Sequence, residues 1–268
     1  MAISRIKKYY YYLFKKRKAL MQHINRDMDY DSGYLSENFR ITRLPTVDIR
    51  DIVGEECLEI KNYTFLEGNS LLTDIMLLMS LAKSFKNCSF LEIGSWKGET
   101  VFNVSKHAKE CYSVTLSKED ILKSGLPESF ANSQGFFMNE PGIKIFYGDS
   151  TNFDFTKLGR RFDLIFIDAD HTHSSVVSDT RNALSLLKDD NSMIVWHDYG
   201  TTTENVNPVI LSAILDGMPA DEHRYLYHVS NTICALYSRK QYKTYMTEFP
   251  MTPDKVFDVS MKIRKPEI

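Results

Sequence analysis

Hydrophobic and polar positions divide the chain into three regimes. In residues 1–26, Ile3, Ile6, Tyr10, Leu13, Leu20 and Ile24 recur at helical spacing, interrupted by Arg17 and surrounded by Lys7, Lys8, Lys15, Lys16 and Lys18. An amphipathic helix is expected there. Residues 27–60 are mixed and polar, with breaks at Gly33, Pro45 and Gly54, and predict a linker or irregular cap. From about residue 62 the pattern turns regular. Ser70 is placed to cap a helix whose inner stripe is Leu71, Ile75, Leu78, Ala82 and Phe85. Short apolar runs at 88–94, 111–116, 143–147, 162–168 and 192–196 read as five buried strands. Helical stripes follow the first run (Val101, Val104, Ala108) and the fourth (Val176, Thr180, Ala183, Leu184, Leu187). Strands alternating with helices predict a parallel sheet covered on both faces. Runs 224–229 and 233–238 lie too close for a helical crossover and predict an antiparallel hairpin. The expected organisation is a helix and cap over 1–61, an α/β domain over 62–240 and a polar tail over 241–268.

Composition changes this picture little; charge changes it more. With 268 residues, 43% hydrophobic and 25% charged, the chain is neither a disordered segment nor a disulfide-stapled miniprotein. Its net charge of −2 hides an asymmetry. Residues 1–26 hold eight Lys/Arg and no acid, which leaves 25 basic against 35 acidic side chains in the remainder. An acidic body lacks the electrostatic footprint of a nucleic-acid binder. The basic segment, residues 1–25, is expected either to dock peripherally on an anionic membrane surface or to pack on its own domain or a second copy. Cys57, Cys88, Cys111 and Cys234 form no C-x-x-C pair, so reduced thiols are expected. No run approaches the roughly 20 apolar residues of a membrane span, and the start lacks an apolar signal core. A cytoplasmic location follows as the expectation, with attachment at the inner membrane surface left open.

In a doubly wound sheet, ligands bind beyond the carboxyl ends of the strands, where strand order reverses. The unusual residues of this sequence fall at those ends. The first strand closes on Glu92-Ile93-Gly94-Ser95-Trp96-Lys97-Gly98-Glu99-Thr100, the third on Gly148-Asp149-Ser150, the fourth on Asp168-Ala169-Asp170-His171, and the fifth on Trp196-His197-Asp198-Tyr199. Carboxylates and imidazoles are costly to bury unpaired, so ending three apolar strands in such groups calls for a compensating partner. The glycine spacing, G-x-x-x-G, is not the G-x-G-x-x-G of dinucleotide enzymes and argues against NAD.

The succession E-x-G-x-x-x-G-E-T, G-D-S, F-D-L-I-F-I-D-A-D-H and W-H-D-Y resembles the class I S-adenosylmethionine-dependent methyltransferases, and within them the family 24 group that includes sugar and small-molecule O-methyltransferases. The resemblance covers about residues 62–240. It implies a Rossmann-like sheet of seven strands with the last antiparallel. It also implies that Glu92, Gly94, Ser95 and Gly98 shape the methionine pocket, that Asp149 and Ser150 lie beside the adenine, and that Asp168 faces the sulfonium. The position that usually supplies an acid to the ribose is Thr115 here, with Glu119 or Asp120 as substitutes. Asp168-x-x-His171 followed by His197-Asp198 resembles the metal-dependent sugar O-methyltransferases. That likeness implies Asp168 and Asp198 as ligands of Mg²⁺ and His171 as the base. His197 stands where an acid is common, and is expected to ligate a metal, orient the substrate or do neither. The implied reaction is O-methylation of a sugar, glycan precursor or other small molecule, with Tyr199, the run 201–205 and the N-terminal cap as walls of the acceptor site. The competing reading is a catalytically inactive scaffold docked through its basic N-terminus, which the ribose-acid departure at Thr115 favours and the retained polar cluster opposes.

Overall fold

The structure is a computed structural model that describes residues 32–55, 57–68 and 70–266; the helix expected over 1–26 lies outside the described residues. The strands are β1 (Thr46–Val47), β2 (Ser89–Ile93), β3 (Glu110–Thr115), β4 (Ile143–Tyr147), β5 (Leu164–Ile167), β6 (Met193–Trp196), β7 (Leu226–Val229), β8 (Ala235–Tyr237) and β9 (Thr244–Tyr245). The described α-helices include α1 (Arg50–Val53), α2 (Leu72–Ser84), α3 (Glu99–Val104), α4 (Lys118–Lys123), α5 (Glu128–Ser133), α6 (His173–Ser185) and α7 (Pro208–Gly217).

The strands form one sheet in the order β4-β3-β2-β5-β6-β8-β7-β1-β9. β4, β3, β2, β5 and β6 pair in parallel, while β8 is antiparallel to both β6 and β7. The seven strands from β4 to β7 in this order therefore have the expected count and directions, including the hairpin of β7 and β8. Two further strands extend the sheet: β1 pairs in parallel with β7, and β9 antiparallel with β1. Thr46 and Val47, from the expected cap, and Thr244 and Tyr245, from the expected tail, thus enter the same sheet.

Period-two alternation along the strands supplies two cores. Leu91, Ile93, Ile165, Ile167, Ile194 and Trp196 face α6 and α7. Phe90, Leu164, Phe166 and Val195 face α2 and α3. All of these are buried, and each contributes about 1.5–3 kcal/mol by leaving water. Helix α2 starts one residue later than expected. Leu71, not Ser70, is the N-cap, and the Asp74 carboxylate accepts the Leu71 N–H at 2.7 Å. Leu71 consequently turns outward. No described helix is long and apolar enough to cross a membrane.

Candidate active site

Strand order reverses at β2, which lies between β3 and β5. The crevice above this point is a cavity of about 610 Å³, within the range of small-molecule sites. Glu92, Gly94, Ser95, Gly98, Thr115, Asp149, Ser150, Asp168 and His171 all line it. Residues spread over 80 positions of sequence meet there because β2, β3, β4 and β5 run in parallel, so their carboxyl ends share one edge.

Glycine lets the first loop pass. Gly94 has φ +98°, and a Cβ there would collide with the Asp168 carbonyl and the Ala169 backbone; at Gly98 (φ +85°) it would meet the Met138 side chain. The bare Cα of Gly94 therefore serves the close approach of the β2 and β5 loops, more than contact with a ligand.

Glu92 is 3% exposed. Its Oε1 accepts a hydrogen bond from Ser95 Oγ, which in turn accepts one from Ser113 Oγ, while Oε2 is buried without a partner. Burial pushes the Glu92 carboxyl up to about 8, and Asp168 adds to the effect. Such an orphaned carboxylate in a cavity wall fits a cationic ligand group. Asp149 accepts from the Thr151 N–H and hydroxyl, and Ser150 Oγ donates to Asp179 Oδ2 at 3.1 Å.

Thr115 Oγ1 donates to the Ser95 carbonyl and accepts from Gln134 Nε2 at 2.9 Å, so its hydroxyl is already engaged within the protein. Glu119 and Asp120 do not line the cavity. Asp120 instead accepts from the Ser117 hydroxyl in the first turn of α4. Three contributors escaped the sequence reading. Gln134 lies in the aperiodic stretch after α5, where no pattern marks it. Trp96, in the glycine loop after β2 and given no role of its own, lines the cavity and stacks on Phe130 at 4.1 Å between centroids. Asp74, fully buried, was signalled by a carboxylate inside the apolar stripe of α2.

Pairing of β5 with β6 in the register Ile167↔Trp196 brings the ends of those strands together. Asp168, His197 and Asp198 each offer a donor atom within 4.8 Å of the others. His197 Nδ1 lies 3.1 Å from both Asp168 Oδ1 and Asp198 Oδ2, and its Nε2 lies 3.2 Å from Asp74 Oδ2. His171, half-exposed at the rim, places Nε2 2.9 Å from Asp198 Oδ2 and 3.7 Å from Asp168 Oδ1. Asp168 and Asp198 raise the His171 imidazole to about 10. Burial opposes charge on His197, yet Asp168, Asp198 and Asp74 hold it well above the ordinary value. Both carboxyls are depressed in turn: desolvation acts against this, and the imidazoles outweigh it. Asp198 adopts φ +54°, a left-handed conformation that costs about 1–2 kcal/mol and turns its carboxylate toward the imidazoles.

The donor set fits a cation: His197 Nδ1 is buried and makes no hydrogen bond despite two oxygens nearby. Asp168 and Asp198 come together as the metal-site expectation requires, and His197 joins them. Tyr199 departs from its expected place as an acceptor wall; it is buried, with its hydroxyl accepting the Leu44 N–H at 2.9 Å.

Residues 91–199 match the family model described as a methyltransferase domain. No curated protein matches the chain. Among solved structures it is similar to YcgJ from Bacillus subtilis, with 23% identity over 46% of this chain and 48% of that one and a TM-score of 0.33. It is similar also to cofactor-bound Rv0187 from MTB, with 19% identity over 66% and 84% and a TM-score of 0.45. N-methyltransferase NodS from Bradyrhizobium japonicum WM9 is 16% identical over 61% and 92%, with a TM-score of 0.38. The chain spans about half the length of YcgJ. The segment matched by the family model runs from within β2 to just past β6 and contains Glu92, Gly94, Gly98, Asp149, Asp168, His171 and Asp198. Residues 91–199 are thus similar in sequence to a methyltransferase domain, and they carry the strand tips from β2 to β6 that close on the cavity.

Proposed function

We propose that the protein transfers a methyl group from S-adenosylmethionine to a hydroxyl of a sugar, a glycan precursor or another small molecule. One observation carries this reading: Glu92, Asp149 and Asp168 converge on a single cavity in which Glu92 Oε2 has no protein partner. A site lined by carboxylates favours the cationic ammonium and sulfonium of the methyl donor. The donor supplies an electrophilic methyl carbon, which the acceptor oxygen must approach to about 3–3.5 Å.

The protein's own groups provide the rest. Glu92 and Ser95 engage the amino-acid end, Asp149 and Ser150 the opposite end, and Asp168 sits between them beside His171. A cation held by Asp168 and Asp198 would lower the pKa of an acceptor hydroxyl and neutralise the charge that keeps His171 protonated. His171 reaches the cavity from its rim and is the group placed to take the acceptor proton. His197, deeper and pinned by Asp74, is positioned against the two aspartates rather than against the cavity.

Calorimetric titration with S-adenosylmethionine, S-adenosylhomocysteine and NAD tests the reading. Saturable heat from the two methionine-derived ligands and none from NAD is expected. Silence from both would remove the enzymatic reading and leave a scaffold.

A further inference from the structure

The deepest part of the polar cluster points to a different cation from the Mg²⁺ that the sequence resemblance implies. We propose that Asp74 fixes His197 as a nitrogen donor, so that Asp168, Asp198 and His197 form a site for a first-row transition ion such as Mn²⁺ in preference to Mg²⁺. The inference rests on the reading above that Asp168 and Asp198 hold a cation.

Asp74 stands in the first turn of α2 and is 0% exposed. Two backbone groups lock its carboxylate: Oδ2 accepts the Leu71 N–H at 2.7 Å and Oδ1 accepts the Ile233 N–H at 3.1 Å. A carboxylate held by two donors is an acceptor for the third, so at the 3.2 Å contact with His197 the imidazole Nε2 is the donor. Phe166 holds the ring edge-to-face, with centroids 5.9 Å apart. The ring cannot turn without losing both contacts. Nδ1 is thereby committed to the space between Asp168 and Asp198.

Nδ1 makes no hydrogen bond there, although an oxygen of each aspartate lies 3.1 Å away. Both oxygens are thus within reach of the nitrogen without forming a hydrogen bond to it. Two ligands at right angles around an ion, each about 2.1 Å from it, would stand about 3.0 Å apart, close to the 3.1 Å between Nδ1 and each aspartate oxygen. An ion bound at Nδ1 would take the place of the proton there, with His197, Asp168 and Asp198 as its donors.

Mg²⁺ favours oxygen, whereas imidazole suits first-row transition ions, whose affinity for a mixed nitrogen and oxygen set rises along the series that begins at Mn²⁺. Coupling a buried carboxylate to the far nitrogen of a metal-bound histidine also raises its basicity, and losing such a partner typically costs 10–100-fold in metal affinity.

The test uses the metal-stripped full chain and the loss of the free Mn²⁺ paramagnetic resonance signal, with Mg²⁺ as competitor. One Mn²⁺ per chain is expected, displaced to half only by an excess of Mg²⁺ of about tenfold or more. His197→Asp, which makes the donor set all oxygen, should bring the two ions to near parity. Asp74→Asn should weaken Mn²⁺ binding about 10–100-fold. The His197→Asp comparison leaves Asp74 untouched and stands even if Asp74→Asn fails to fold. Equal affinity for Mn²⁺ and Mg²⁺ in the wild type, both lost in Asp168→Asn, would overturn this inference while sparing the cation reading. Absence of binding by either ion would overturn both.

Discussion

Glu92 and His171 show how far environment moves a side chain from its behaviour in water. Burial pushes the Glu92 carboxyl from 4.5 to about 8, so the folded chain keeps a proton that the unfolded chain releases. Its contribution to stability is therefore full below pH 4.5 and is lost as pH rises through 8. A cationic ligand reverses the preference. Binding of S-adenosylmethionine at pH 7 should release a proton, measurable as a dependence of calorimetric heat on the ionisation enthalpy of the buffer. Glu92→Gln should abolish that dependence and weaken cofactor binding by roughly 10–100-fold, the scale of one charge-assisted contact. For His171, replacement by alanine should lower kcat by about 10²–10⁴ while cofactor affinity is retained, as expected for loss of a general base. An unchanged turnover would withdraw that role. Asp198 belongs at this scale too, because a non-glycine residue held at φ +54° persists only where its surroundings impose it.

At the scale of elements, the site depends on two loops crossing at van der Waals distance. Gly94 at the end of β2 faces backbone of the β5 loop, which cannot yield, whereas Gly98 faces the side chain of Met138, which can. Gly94→Ala should cost about 2–5 kcal/mol, from overpacking and a left-handed alanine together, and Gly98→Ala distinctly less. Equilibrium urea unfolding of the two variants checks the ordering. The elements missed in the sequence share a cause. β1 and β9 are two residues long and carry no periodicity, so their pairing is a property of the sheet edge they meet. α7 is buried nearly all round, and a helix without a polar face lacks the stripe that reveals it. The longer runs behaved otherwise: β2, β3, β5 and β6 are legible because burial on both faces demands uninterrupted apolar stretches, whereas β4, expected to be buried, is an edge strand with no buried residue.

Across the whole molecule, β1 ties the residues before the α/β unit into its sheet through His228, the Thr46 partner in β7. His228 Nε2 donates to the Thr232 carbonyl at 3.1 Å, and its Nδ1 accepts from the Thr46 hydroxyl at 3.2 Å. Burial pushes its imidazole from 6.5 down to about 4. The fold keeps it neutral, so its contribution is full above pH 6.5 and is lost as pH falls through 4, of order 3 kcal/mol in all. Wild-type stability in urea should therefore drop between pH 7 and pH 4.5 by more than that of His228→Gln. Equal drops would remove His228 from the acid response. The alternation of buried runs and helical stripes was enough to specify a doubly wound sheet, its hairpin and the strand tips where chemistry gathers, because hydrophobic burial is written locally and repeats with the period of each element. Which tips face one another was not written there. Strand order brought Asp168 to His197, the first turn of α2 carried Asp74 to the far side of that ring, and Gln134 came to engage Thr115; such contacts join positions up to 123 residues apart, and only packing in three dimensions sets the distances on which pKa values and metal geometry depend.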